Sequence, residues 1–346
     1  MSPAKLIFRF EELGQEHKQL VGKKCANLGE MRRMGLPVPL GFATSIDMYR
    51  RFAKETGAAV EIAEYVKRMG KLKGKSIAVF DEMSLKIRGI IEGKEMPVAL
   101  VETTTAYYRE LEQKGEKPDG AVSVRSSGTE SRPGMFETYL NVVGIEDVLD
   151  KIKKVWSSAY TARAIALRVN KDIPVNSDEL GVAVIKMVNA RSAGIAFTLD
   201  PVTGDTSKII INSGWGLGEG VVNGTGDVDR FVVDKATLEI VESAIGKKTK
   251  RVVSEKQGVG HDDVPAKKRS ASSLSQKEIA AIAKIALHLE EHFDRPQDTE
   301  WAIDSDSPTP HHLLLLQTRP AKLTVRKPES VTDRMIDLIV QKFYRP

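Results

Sequence analysis

Apolar and polar positions change period several times along the chain, and each change marks an element. Residues 121–124 form a short apolar run that reads as a buried strand, which delivers Arg125 directly into "SSGTES". Between 145 and 170, Ile152, Val155, Trp156, Ala159, Ile165, Ala166 and Val169 recur at helical spacing and predict a core helix. Strands follow: "GVAVIKMV" (181–188), "AGIAFTLDPVTGD" running into a turn, "KIIINSGWGLGEG" running into a glycine-rich loop, and "DRFVVDK". This centre is strand-rich and hairpin-like, without the regular strand–helix alternation of a Rossmann sheet. From Gln276 to Phe293 the pattern is an amphipathic helix, with Ile279, Ile282, Ala286, Leu289 and Phe293 on one face. The stretch 295–320 then reads as two strands around a turn rich in Asp, Ser and Pro.

The flanking regions are plainer. "VGKKCANLGEMRRMGLPVPLGF" (21–42) predicts a loop, a short helix and a strand, with Gly35 closing the helix and Pro37 just beyond. Residues 47–115 are mostly helical by composition. The stretch 247–273 is polar, charged and poor in large apolar residues, which predicts an exposed excursion.

At 346 residues the chain exceeds the size of one hydrophobic core, so two or more lobes are expected. An apolar share of 41% with 29% charged residues is an ordinary soluble, globular balance. The net charge of +5 suits an anionic small ligand or an acidic partner surface and does not demand nucleic acid. Cys25 is the only cysteine, which excludes an intramolecular disulfide and makes a reducing compartment the default. "MSPAKLIFRF" lacks the apolar core of a signal peptide, and no apolar run approaches the roughly 20 residues of a membrane span. A cytoplasmic protein with no membrane and no nucleic-acid partner is expected.

Candidate chemistry gathers at three places. Arg125, at a strand end before small polar residues and flexible backbone, either closes a turn by pairing with a carboxylate or anchors an anion site. Lys23 and Lys24 fall at a helix start, where the dipole disfavours cations unless an anion sits between them. On the 295–320 strands, Asp298 and Glu300 share one face, as do Gln317 and Arg319. Two carboxylates and an amide oxygen beside a guanidinium make a sound Mg²⁺–polyphosphate site. A cross-strand salt bridge between Glu300 and Arg319 is the structural alternative. "GWGLGEG" (214–220) lacks dinucleotide-binding spacing, though Glu219 is placed to accept from ribose hydroxyls, and the chain has no Walker A string. His288 and His292 stand one turn apart, but His288 lies on the polar side of its helix.

In order, "GKKCANLGEM", "GLPVPLGFATS", "VSVRSSGTES", "PGMFETYLNV", "AGIAFTLDPVTGD", "GWGLGEG", "RPQDTEWA" and "QTRP" resemble one family. It is the N-terminal ATP-binding domain of phosphoenolpyruvate synthase and pyruvate phosphate dikinase, and the resemblance runs from about residue 16 to 322. The resemblance implies an α+β, ATP-grasp-like fold whose two lobes enclose the nucleotide. Residues 1–185 would form the N-terminal lobe, 186–322 the C-terminal lobe with the metal-binding strands, and 323–346 a helical tail. It further implies ATP and Mg²⁺ as cofactors, with Lys24, Arg125 and Arg319 as the catalytic cations. Gly134, Met135 and Phe136 would fold over the phosphates, Met187 and Val188 would offer backbone groups to adenine, and Glu219 would bind the nucleotide. Asp298, Glu300 and Gln317 would hold the metal. Lys23 and Cys25 depart from the Gly and Asn usual in the family, and Ile185 replaces a frequent Gln.

The family enzymes continue into a domain with a phosphorylatable histidine and then into an acceptor-binding barrel. Only 26 residues follow "QTRP", and none of the six histidines has the family's Thr–x–His–Ala setting. The resemblance therefore implies a second subunit that carries the histidine and the acceptor site. Split enzymes of this type include phenylphosphate synthase, which makes phenol the implied final acceptor, on the resemblance alone; a split phosphoenolpyruvate synthase acting on pyruvate, or a stand-alone ATP-grasp ligase or small-molecule kinase, is the alternative.

Overall fold

Two antiparallel sheets organise the chain, and helices cover them unequally. The computed structural model describes residues 5–114, 120–130, 135–177, 179–222, 227–307 and 312–323. The first sheet contains β1 (Ile7–Arg9), β2 (Gly41–Thr44), β3 (Val122–Ser127), β4 (Thr138–Val142) and β5 (Gly181–Lys186), in the order β1-β2-β5-β3-β4. The second contains β6 (Ala190–Phe197), β7 (Lys208–Trp215), β8 (Asp229–Asp234) and β9 (Ile240–Ala244), and two later strands. Between them in sequence, β10 (Lys250–Ser254) and β11 (Val259–Asp263) form a separate hairpin. The second sheet closes with β12 (Gln297–Asp304) and β13 (Leu313–Pro320), in the order β13-β12-β6-β7-β8-β9.

The helices are α1 (Lys18–Arg33), α2 (Ile46–Glu55), α3 (Ala58–Met69), α4 (Ile77–Glu92), α5 (Val98–Lys114), α6 (Ile145–Ser157) and α7 (Ala162–Asn170). The short α8 (Glu219–Val222) and α9 (Ala266–Arg269) precede the long α10 (Gln276–Phe293). Residues Phe52, Met83, Ile87 and Trp156 from this helical layer bury against one face of the first sheet. Leu28 and Met31 of α1 join Ile282 and Leu289 of α10 against Ile209, Ile211 and Trp301 of the second sheet.

β5 lies between these two cores, which explains its sequence. Val182 and Val184 enter the helical core, while Ala183 and Ile185 enter the core shared with the second sheet. A strand covered on both faces gains from apolar residues at every position, so "GVAVI" shows no alternation. β3 does alternate. Val122 and Val124 point into the helical core, and Ser123 and Arg125 point the other way. Three residues, 187–189, separate the end of β5 from the start of β6.

The charged stretch 247–273 differs from its sequence expectation. It folds into the β10–β11 hairpin and α9, and one of its lysines is not solvated at all. Lys248 is 2% exposed and pairs with Asp229, which is fully buried. Asp229 also accepts from the backbone N–H of Gly246 and from the N–H and hydroxyl of Ser273, so every oxygen is satisfied. A lysine carries no sequence mark of having a buried partner, so composition alone made it look solvated. The hairpin tip reaches back to β4 of the first sheet and to α6. Asn141 donates to Glu255 O, Gly258 N–H donates to Asn141 O (3.1 Å), and Gln257 Nε2 donates to Asp147 Oδ2 (2.8 Å). Among the described residues, no helix is long and apolar enough to cross a membrane.

Candidate functional site

The β12–β13 register fixes which polar side chains meet. Asp298 stands opposite Arg319 and Glu300 opposite Gln317, so all four share a face. Arg319 Nε donates to Asp298 Oδ2 at 2.7 Å, and Gln317 Nε2 donates to Glu300 Oε1 at 2.8 Å. The Glu300–Arg319 bridge considered from sequence therefore does not form. Its glutamate is taken instead by an arginine from the other sheet. Arg125 Nη2 donates to Glu300 Oε2 at 3.0 Å, and Nη1 donates to Leu316 O at 3.2 Å. Both side chains are nearly buried, at 14% and 12% exposure. Arg125 Nε is buried with no acceptor among the described residues, which leaves a desolvated cationic donor available to an anion.

Local backbone brings Lys24 to the same place. Gly22 interrupts α1 with φ of +78°, so the helix effectively restarts at the lysine pair. Its Cα lies so close to β3 that a Cβ would fall 2.0 Å from Ser127 O. The restarted turn is tied to the end of β3 by Lys23 N–H to Gly128 O (2.9 Å) and Cys25 N–H to Ser127 Oγ (3.0 Å). Lys24 is half-buried, and burial first, then the Arg125 and Arg319 charges, push its amine down to about 7 against the opposing pull of Glu300. Burial likewise raises the Asp298 carboxyl, with Arg319 opposing. The Cys25 thiol is pushed up to about 12 by burial, which makes it a packing group and not a nucleophile.

Beside this cluster lies a cleft between the sheets, holding about 210 Å³. Arg125, Ser123, Thr138 and Glu300 are polar lining; Ile185, Met187, Val188, Leu217 and Leu316 are apolar lining. Glu219, exposed at the first position of α8, stands on its rim. Met187 N–H donates to Ala121 O, and Val188 O accepts from Ala190 N–H. The Met187 carbonyl and the Val188 N–H have no hydrogen-bond partner among the described residues.

The structure thus brings Arg125, Met187, Val188, Glu219 and Glu300 to one cleft, with Lys24, Asp298, Gln317 and Arg319 joined at its polar end. Met135 and Phe136 are not among the residues lining it, and Phe136 packs against the helical core. Gly134 lies outside the described residues, as do 324–346 of the expected tail. Sequence reasoning missed Lys186, which also lines the cleft. A lone lysine ending an otherwise apolar strand was the available signal.

Among the described residues no group of three or more His, Cys, Asp or Glu side chains is placed to hold a metal. The donors at the polar end are instead two carboxylates and an amide: Asp298, Glu300 and Gln317, whose Oε1 is left as acceptor because Nε2 donates to Glu300. This hard-oxygen set fits Mg²⁺, which uses few protein ligands and keeps several waters. His292 pairs with Glu30 across to α1 at 2.8 Å, away from any such set.

The sequence matches the family model described as pyruvate phosphate dikinase, AMP/ATP-binding domain, over residues 18–338. The phosphoenolpyruvate synthase of Aeropyrum pernix is 38% identical over 94% of this chain and 43% of its own length. Probable phosphoenolpyruvate synthases of Staphylothermus marinus and Methanothermobacter thermautotrophicus are 37% and 34% identical, over 96% and 97% of this chain and 43% and 49% of their own. The chain spans just under half the length of these relatives. A crystal structure from Pyrococcus horikoshii aligns with 77% of this chain and 99% of its own at 15% identity and a TM-score of 0.34, too low to carry an argument.

Proposed function

The chain belongs to the pyruvate phosphate dikinase AMP/ATP-binding domain family, and from that premise we propose that it is the ATP-handling part of a dikinase-type phosphotransferase. In this reading the fold is ATP-grasp-like, residues 1–185 and 186–322 are its lobes, and Mg·ATP lies between them. One observation carries the reading. Arg125 of the first sheet, with its orphaned Nε, meets Glu300 of the second in a cleft whose lining also includes Met187 and Val188, with an unpaired carbonyl and N–H.

The roles follow from that geometry. The Met187 carbonyl accepts from the exocyclic amine of adenine, and the Val188 N–H donates to a ring nitrogen. Ile185, Leu217 and Leu316 wall the base, so the family's polar residue is not required at 185. A volume of 210 Å³ is below the ~300–1,000 Å³ of most small-molecule sites. It seats a base and leaves the triphosphate at the open, polar end. There Lys24, Arg125, Arg319 and Lys186 offset its charge, and Glu219 takes the ribose hydroxyls. Asp298, Glu300 and Gln317 would hold Mg²⁺, which when bound neutralises phosphate charge during transfer.

The carrier histidine lies on a further domain or a partner subunit. Of the described histidines, none lines the cleft, and His17, His292 and His312 are already bonded to Gly14, Glu30 and Glu278. That histidine attacks the β-phosphorus, forming an N–P bond and releasing AMP. Water removes the γ-phosphate, and the β-phosphoryl passes to phenol. Cleaving two anhydride bonds drives a transfer that one would leave uphill. The test uses the chain with its histidine-bearing component, phenol and ATP labelled at the β and γ positions. AMP, free γ-phosphate and β-labelled phenylphosphate are expected; ADP with γ-label in the acceptor overturns the reading. Phosphoenolpyruvate formed from pyruvate, the product in the relatives' names, is the competing outcome for the acceptor.

Lys24 gives a pH signature to the same site. Its amine is largely neutral above about 7 in the free protein, whereas triphosphate bound beside it restores the charge. Binding Mg·ATP above that pH therefore takes up a proton, and affinity falls as pH rises, by up to about tenfold per unit. Calorimetry at about pH 8.5, in buffers of different ionisation enthalpy, should register uptake approaching one proton. Lys24→Met should abolish the uptake; the same uptake in that variant would assign the proton elsewhere.

A further inference from the structure

A second cavity of about 330 Å³ lies behind the glycine-rich loop, bounded by the residues joining the two sheets, the end of β7, the β10–β11 hairpin and α9. It shares Ala190 and Leu217 with the cleft, but neither Arg125 nor Glu300 reaches it. Its charged lining is of one sign: Arg191, Arg251 and Lys268, from three separate elements, with no carboxylate among them.

Two of these cations are oriented by acids outside the lining. Arg191 Nη2 donates to Glu278 at 2.6 Å, while Arg251 donates through Nε and Nη2 to Asp262. A guanidinium has five N–H donors, so each arginine is fixed in direction yet keeps donors unspent. Lys268 forms no ion pair among the described residues. Its Nζ lies 5.2 Å from the ring centroid of Trp215, whose indole N–H donates to Lys268 O. Ser254 and Ser305 add hydroxyl donors to the lining.

We infer that this cavity is a second anion site, taking a compact polyanion of the phosphate class. Lys268 has no carboxylate to offset it among the described residues, and the two arginines keep donors beyond those spent on Glu278 and Asp262. A phosphate or diphosphate group presents several oxygens in different directions and can engage all three. The indole beside Lys268 flanks whatever the phosphate carries.

Trp215 supplies the readout. Trp156 and Trp301 are each 1% exposed, whereas Trp215 lines the cavity and is half-buried. Inorganic pyrophosphate titrated into the full chain in metal-free buffer should change the tryptophan fluorescence saturably. Trp215→Phe should remove that change, and Arg251→Gln/Lys268→Gln should weaken the response about tenfold. Arg125→Ala should leave it unaltered, which separates this site from the nucleotide reading. Trp301 lines the nucleotide cleft, so the Trp215→Phe arm is read together with Arg125→Ala: wild-type affinity in the double variant overturns the inference, as does a response that Trp215→Phe leaves undiminished or that vanishes in Arg125→Ala. Should the double variant melt early, Lys268→Gln alone, at an exposed residue, should still weaken the response, and an unchanged titration there counts equally against the site.

Discussion

Replacing Glu300 with alanine is expected to lower turnover by about 10²–10³-fold or more while leaving the fold in place. The carboxylate accepts from both Arg125 and Gln317 and stands in the oxygen set proposed for Mg²⁺. Its loss leaves the Arg125 guanidinium facing Lys24 with no counter-charge. Removing one partner of a fully buried pair costs about 3–5 kcal/mol, and at 12–14% exposure this pair should cost less. Arg319→Ala should behave in the same way, because it leaves Asp298, 6% exposed, without its guanidinium. A purely structural bridge makes a different forecast. In that case Arg125→Ala/Glu300→Ala, which removes both charges, should recover stability and activity together. Melting curves beside turnover numbers decide the matter. Stability recovered without activity is the expected pattern, and near-normal turnover in Glu300→Ala would refute the assignment.

The second large effect is on stability. Gly22→Ala should cost on the order of 3 kcal/mol or more, since it combines a positive φ with a collision. The new Cβ would meet the Ser127 carbonyl oxygen at 2.0 Å, and backbone cannot rotate away as a side chain can. Gly35 is the internal control: its φ is +74°, but a Cβ there meets nothing within 4 Å. Gly35→Ala should therefore cost only the ~1–2 kcal/mol of the left-handed conformation. Denaturant midpoints for the two variants separate strain from collision, and equal losses would mean that β3 yields. Because Gly22 starts the turn carrying Lys24, the variant should also weaken Mg·ATP binding beyond its loss of stability.

The sequence was most informative where a period meets a turn. Asp298, Glu300, Gln317 and Arg319 could be placed on shared faces because alternation on two strands around one turn leaves little freedom. Their pairing could not be read the same way. Whether Arg319 meets Asp298 or Glu300 depends on register, and a bulge between Glu300 and Trp301 shifts that register along the pair. Arg125 was conspicuous at its strand end, yet its partner lies 175 residues away, and no local pattern carries that distance. Lys186 carries little signal because it ends an apolar run whose pattern reports a strand and not a site. The stretch 247–273 misled for an opposite reason: many of its charges are indeed exposed, and nothing in a list of lysines marks the one that folds inward onto Asp229.

The tethered hairpin tip bears on how the chain can be re-engineered. By composition, "EKQG" at 255–258 is where a protein engineer would splice in an affinity tag, a reporter or new termini. Yet the backbone there is bonded to Asn141 of the first sheet, and the Gln257 side chain to Asp147 of α6, so an insert would cut a tie between distant parts of the fold. The turn at 201–206 is the better place. Its bonds close locally, between Asp200 and Asp205, and Val202 is 75% exposed. A cargo grafted there should leave the sheets and the cleft undisturbed.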